Sequence, residues 1–280
     1  MSLAFLFPGQ GSQSLGMGAE LFRQFPLKVE EASAVLGYSL AELCLDGPED
    51  KLNQTQFTQP ALYCVSYMAG QAKLEEGLVP FCAAGHSVGE FAALASAEAI
   101  SFSDGLKMVA KRGEIMSKVT GGGMAAVIGL EKEQIKSALG LHSLDEIDLA
   151  NFNSPNQIVI SGPATQIKSS VTILKEAGAK LVVPLKVSGA FHSRMMQAPS
   201  DEFSSFIEAF SFSLPKFPVI ANVKASSYSS IEEIPSLLVK QMHSSVLWTA
   251  SIQSIRSSGV TDFVECGPGN VLTKLLRQIP

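Results

Sequence analysis

Short apolar runs alternate along this chain with longer helical stretches, a pattern that predicts a mostly parallel sheet flanked by helices. Leu3 to Phe7 reads as a strand ending in a loop of turn residues, Pro8-Gly9-Gln10-Gly11-Ser12. Helical stretches follow from Leu21 to Leu45 and from Gln59 to Glu76. Val79 to Ala84 is a second apolar run. Glu90 to Ala99 is alanine-rich and free of proline, so it reads as a buried helix, and helix continues through Met116. Gly121-Gly122-Gly123 reads as a flexible joint.

The texture changes beyond that joint. Met124 to Leu130 reads as a strand and Glu131 to Leu139 as a helix. Two strands lie between Leu149 and Ser161, around the turn Asn153-Ser154-Pro155-Asn156. Ala164 to Ala177 is a helix that stops at Gly178, and Lys180 to Val187 a further strand. The order β-α-β-β-α-β is the ferredoxin-like pattern. We therefore expect an α/β core at 1–122 and 190–280 with an inserted ferredoxin-like α+β subdomain at 123–189. A late strand, Asp262 to Cys266, runs into Gly267-Pro268-Gly269. Ligands on such sheets sit beyond the carboxyl ends of the strands. The Gly9-Gln10-Gly11 loop, the turn after Ala84 and the Gly267-Pro268-Gly269 loop are thus expected to line one crevice.

Composition narrows the classes. A chain of 280 residues, 46% hydrophobic and 17% charged, has material for one large domain or one domain with an insert. The net charge of -5 argues against a nucleic-acid binder, which needs clustered Lys and Arg. The four cysteines, Cys44, Cys64, Cys82 and Cys266, lack metal or redox spacing and read as reduced core residues, so a cytoplasmic location is expected. The start of the chain, Met1 to Pro8, has no basic region and is too short for a signal peptide, and no apolar run is long enough to span a bilayer.

The candidate chemistry lies in Gly85-His86-Ser87-Val88-Gly89, between an apolar run and a helix. G-x-S-x-G in that context is a nucleophile elbow: a strained turn exposes the serine hydroxyl and aims the next amide at an oxyanion. Ser87 needs a general base. Of the four histidines, His86 sits inside the elbow with its side chain expected to point away from Ser87, and His142 lies in a polar connection. His243 follows a helical stretch, whereas His192 lies in a loop at the domain joint and is favoured. Asp104, Asp145 and Asp148 are available as orienters, but none follows a convincing strand, so a carbonyl is an alternative. Arg112 reads most simply as a solvated helix charge; the functional alternative is a guanidinium that clamps a substrate carboxylate. Gln10 reads as a turn glutamine or as an amide donor into the site.

These pieces together resemble the malonyl-CoA:acyl carrier protein transacylases of fatty-acid synthesis. The resemblance rests on Phe7-Pro8-Gly9-Gln10-Gly11-Ser12-Gln13, Thr58-Gln59-Pro60-Ala61-Leu62, Gly85-His86-Ser87-Val88-Gly89-Glu90, Lys111-Arg112-Gly113, Asn151-Phe152-Asn153-Ser154-Pro155, Gly189-Ala190-Phe191-His192-Ser193, Gln241 before Trp248-Thr249, and Glu265-Cys266-Gly267-Pro268-Gly269. It implies a hydrolase-like α/β core with a ferredoxin-like insert. It also implies Ser87 as nucleophile, His192 as base and Gln241 as the residue whose main chain orients that base. Gln10 and the Val88 amide match the oxyanion hole, and Arg112 the arginine that grips the malonyl carboxylate. Phe191, Gln59 and Asn153 fall near the pocket. Val88 stands where leucine is usual, and Cys266 where valine or isoleucine is. The implied partners are malonyl-CoA and a holo acyl carrier protein, with no metal or cofactor, no nucleic acid and no membrane, and a monomer is expected. The rival readings are a serine thioesterase or esterase and a non-catalytic carrier-protein docking module.

Overall fold

The computed structural model describes residues 2–187 and 189–280; Met1 and Ser188 lie outside the described residues. Strand β1 (Leu3–Phe7) is followed by four short helices, α1 (Ala19–Gln24), α2 (Pro26–Leu36), α3 (Leu40–Leu45) and α4 (Glu49–Leu52). The run expected as helix from Leu21 to Leu45 is thus broken, for local reasons. Pro26 can start a helix but cannot continue one, Gly37 takes a left-handed cap at φ 74°, and Ser39 caps α3 by accepting from the Glu42 N–H. Helix α5 (Thr55–Glu75) then crosses the core. Strand β2 (Cys82–Gly85) leads into α6 (Gly89–Ser96) and α7 (Phe102–Ser117).

A second layer of structure follows: β3 (Gly122–Ile128), α8 (Lys132–Leu141), β4 (Asp148–Ser154), β5 (Gln157–Pro163), α9 (Ala164–Glu176) and β6 (Leu181–Pro184). The chain returns through α10 (Gln197–Ile207), β7 (Val219–Ala221), β8 (Ser226–Ser227), α11 (Glu233–Gln241), α12 (Trp248–Ser257), β9 (Asp262–Glu265) and α13 (Val271–Leu276).

Two sheets result. The five-stranded one runs β8-β7-β2-β1-β9 and is parallel except for β8. Both faces of β1 are buried: Phe5 and Phe7 enter the core built on α5, α6 and α7, while Ala4 and Leu6 pack with Trp248, Ile252 and Leu272 on the other side. A strand buried on both faces explains why Leu3 to Phe7 is a continuous apolar run. The four-stranded sheet runs β4-β5-β3-β6, is antiparallel throughout, and has its own apolar core including Val127, Ile135, Leu139, Ile160 and Leu174.

Gly122 and Gly123 pair with Pro163 and Gly162 inside this sheet, so the triglycine segment opens a strand where a flexible joint was expected. The two sheets are also tied together. Val246 donates to the Ala150 carbonyl and accepts from Phe152 N–H, and Met124, Ala150 and Val159 belong to the main core. Arg194 forks onto Asp148 at 2.6 Å and gives the same carboxylate its main-chain N–H at 2.8 Å, which anchors the segment just after His192 to β4. All four cysteines are free and buried. Burial pushes the Cys44 thiol up to about 12 and Cys82 up to about 11, so neither is a nucleophile near neutrality. Among the described residues no helix is long and apolar enough to cross a membrane.

Candidate active site

Register brings the site together. Phe7 of β1 pairs with Gly85 of β2, so the loop carrying Gln10 and the elbow carrying Ser87 leave the sheet side by side. The elbow is a tight fit. A Cβ on Gly85 would lie 2.0 Å from the Gly89 carbonyl carbon, and one on Gly89 would lie 2.1 Å from the Phe7 oxygen. Ser87 itself holds φ 52°, the strained conformation expected of a nucleophile at a strand-to-helix turn. Asn222, just after β7, staples it: the Ser87 N–H donates to Asn222 Oδ1 at 2.8 Å, and Asn222 Nδ2 donates to the Gly85 carbonyl at 2.6 Å.

The Ser87 hydroxyl lies 2.8 Å from His192 Nε2. The other ring nitrogen, Nδ1, donates to the Gln241 main-chain carbonyl at 2.7 Å. That bond selects the tautomer in which Nε2 carries the lone pair and can take the serine proton. None of the aspartates considered as orienters is needed: Asp148 is bound to Arg194, and Asp104 gives its main-chain N–H to Ser101, the cap of α7, and pairs with Lys107. His243 is turned to Ser200 Oγ at 2.9 Å.

Arg112, from α7, is fully buried. Its Nη2 donates to Ser87 Oγ at 3.0 Å and to Gln241 Oε1 at 2.9 Å, and its Nη1 donates to Gln59 Oε1 at 2.6 Å. Every one of these partners is neutral. Among the described residues its Nε has no partner at all. A solvated helix charge is therefore the wrong reading of Arg112. Ser87, Arg112, His192, Gln10, Gln59, Val88 and Phe191 line one cavity of about 420 Å³. A larger cavity, about 690 Å³, opens on the other side of His192 but contains neither Ser87 nor Arg112; the smaller one is where Ser87, His192 and Arg112 meet.

A family model described as acyl transferase domain matches residues 4–279. The chain belongs to this acyl transferase domain family. It is 47% identical over 279 residues to the polyketide biosynthesis malonyl CoA-acyl carrier protein transacylase PksC of Bacillus subtilis, covering 99% of this chain and 96% of that protein. It is 49% identical over 277 residues to the polyketide biosynthesis protein ThaF of Burkholderia thailandensis, covering 99% of this chain but only 24% of that longer protein. Among solved structures it superposes with a TM-score of 0.95 at 39% identity on a chain of PlMCAT:AntF (holo), a type II PKS acyl-carrier protein in complex with its malonyl-transacylase. That match covers 100% of this chain and 93% of the other.

Electrostatics in this acyl transferase domain follow from burial. Burial first, and the Arg112 charge second, pull the His192 imidazole down to about 3, so the ring rests neutral. Burial brings Arg112 down only to about 10, so it rests charged. Among the described residues Val88 N–H makes no hydrogen bond, which leaves it free for an oxyanion. The Gln10 side-chain amide is turned to Thr55 Oγ1 at 3.3 Å, and among the described residues its main-chain N–H makes no hydrogen bond.

Two expectations need correction. Asn153 does not line the cavity; its Oδ1 meets His86 Nε2 at 2.9 Å, and its neighbour Asn151 lines the cavity instead. The Gly267-Pro268-Gly269 loop packs behind Pro8 and Ser66 and not along the crevice. Sequence reasoning also missed Asn222 and Glu90. Glu90 carried a usable signal, since it is an acid in the first turn of an alanine-rich helix read as buried; Asn222 carried none.

Proposed function

We propose that this domain transfers a malonyl group from CoA to the phosphopantetheine thiol of an acyl carrier protein through an ester on Ser87. The observation that carries the reading is Arg112: a buried cation, bonded only to neutral groups, 3.0 Å from the nucleophile. Such a site favours an acyl group that ends in a carboxylate. The names of PksC and of the solved carrier-protein complex support the same substrate and acceptor.

His192 Nε2 takes the Ser87 proton as Oγ attacks the thioester carbonyl. The main-chain N–H groups of Val88 and Gln10 receive the oxyanion, each such donor lowering the barrier by about 3–4 kcal/mol. The tetrahedral intermediate expels the CoA sulfur, which takes the proton back from His192. The carrier thiol then gives His192 its proton, attacks the ester, and Ser87 Oγ leaves with that proton. A malonyl carboxylate on Arg112 neutralises the charge that weakens His192, so the correct substrate also strengthens its own base. Phe191 in the cavity wall crowds an α-methyl group, which disfavours methylmalonyl by about 1–3 kcal/mol.

The same reading divides the chain into a hydrolase-like core, 1–122 and 190–280, and a ferredoxin-like insert, 123–189. The separate apolar core of the β4-β5-β3-β6 sheet supports that division. PksC and ThaF are polyketide proteins by name, which favours a polyketide carrier over the fatty-acid carrier expected from sequence.

Incubation with labelled malonyl-CoA tests this, with and without holo carrier proteins of both pathways. The expected result is a malonyl adduct on Ser87 that discharges to a carrier. Free malonate accumulating without carrier would instead make the chain a thioesterase, and no adduct on Ser87 would leave a docking module.

A further inference from the structure

Behind the cavity wall lies a polar chain that the chemistry above does not use. Glu90, in the first turn of α6, is 1% exposed. Its carboxylate accepts from Gln241 Nε2 at 2.5 Å, from the Asn222 main-chain N–H at 3.1 Å and from the Tyr228 hydroxyl. Gln241 Nε2 also donates to the Ser87 carbonyl at 3.1 Å. With its NH2 end committed to Glu90 and Ser87, the Gln241 amide has one orientation, and its Oε1 is the end that meets Arg112. A carboxylate only accepts hydrogen bonds, so an ionised Glu90 enforces that orientation. Stability does not explain a buried acid here, because replacing buried ionic groups with neutral ones of similar shape is often neutral or stabilising.

We propose that Glu90 is the positioning residue of the acyl-specificity clamp: through the Gln241 amide it holds the Arg112 guanidinium against Ser87 and supplies the buried negative charge that balances this cation while the site is empty. The proposal rests on the malonyl-transfer reading above.

A pH signature follows. The charged and titratable groups facing Glu90 are Arg112 from α7 and Tyr228 next to β8. Burial lifts the Glu90 carboxyl to about 7, against the opposing hydrogen bonds from Tyr228, Gln241 and Asn222 and the attraction of Arg112. Burial also holds the Tyr228 phenol well above its usual range, so it remains a donor, and Arg112 remains a cation. Above that pH Glu90 is a carboxylate and the Gln241 amide is locked. Below it the acid carries a proton of its own to donate, and the lock is released.

The test compares Ser87 loading from malonyl-CoA and acetyl-CoA by the full chain and by Glu90→Gln across the neutral range, with thermal melting alongside. In Glu90→Gln the malonyl-over-acetyl preference falls about tenfold at alkaline pH, mainly through the malonyl KM, the loss expected for one charge-assisted contact. The wild-type preference declines as pH falls through about 7, and the Gln variant's is flat. Tyr228→Phe is the second variant: losing a hydrogen bond that lowers the Glu90 pKa moves the wild-type midpoint upward. Equal losses of malonyl and acetyl loading, or an unchanged preference with an unmoved midpoint, overturn the proposal while leaving malonyl transfer standing. A wild-type chain that never forms the Ser87 adduct sinks both.

Discussion

Replacing Arg112 with alanine removes a fully buried cation that touches Ser87, Gln59 and Gln241 at once. Two effects act in opposite directions on the two donors. For malonyl-CoA the carboxylate loses a desolvated, charge-assisted partner, which costs about 2–5 kcal/mol, or roughly 30-fold to several thousand-fold in kcat/KM. For acetyl-CoA the wild-type penalty of enclosing an unpaired guanidinium disappears. His192 also becomes a stronger base, because the Arg112 charge is the second cause, after burial, of its depressed pKa. Malonyl loading therefore falls and acetyl loading rises. Folding is a separate account: the Gln59 and Gln241 carbonyl oxygens each lose a buried donor, at about 1–3 kcal/mol apiece. Arg112→Met, which keeps most of the apolar stem, separates lost volume from lost charge. Single-turnover loading of Ser87, followed by intact mass, reads both donors, and a melting curve reports folding. A folded Arg112→Ala protein that keeps its malonyl preference, or that loses both donors equally, refutes the clamp.

Three further outcomes are expected. Asn222→Ala leaves the Ser87 N–H and the Gly85 carbonyl without their partner; thermal stability drops by about 1–3 kcal/mol or more and Ser87 loading slows, whereas an unchanged melting curve would remove the staple from the account. Phe191→Ala raises methylmalonyl loading relative to malonyl by roughly 5- to 150-fold, read by competition between the two thioesters; no change would place the α-carbon elsewhere in the cavity. Nitrogen NMR of His192 shows a neutral ring protonated at Nδ1 as pH falls well below 6.5, because burial and Arg112 hold its pKa down at about 3. An imidazolium signal at mildly acidic pH would contradict that burial. The sign matters for stability too. The unfolded chain takes up this proton below its ordinary pKa and the folded one does not, so this group removes stability as pH falls from 6.5 toward about 3.

Local chemistry is what the amino-acid sequence by itself determined. The elbow around Ser87, the strand before it, the helix after it and the β-α-β-β-α-β order from Gly122 to Pro184 all follow from spacing and turn residues, because each depends on neighbours a few positions away. The absence of a usable acid even pointed to a carbonyl as the orienter of His192. Local reasoning failed where the decisive contact came from far along the chain. Arg112 looks like any charge on a helix, and only the packing of α7 against α5, with Gln241 of α11 reaching across, removes it from water and sets it beside a serine 25 positions away. Asn222 and Gln241 lie 135 and 154 positions from the Ser87 groups they bind. A parallel sheet joins strands distant in sequence at their carboxyl ends, so the residues that hold a nucleophile there carry no periodicity of their own. The tertiary structure alone decided which polar side chains are buried, and burial is what makes Arg112 a desolvated cation beside Ser87, keeps the His192 imidazole neutral and lifts the Glu90 carboxyl to about 7.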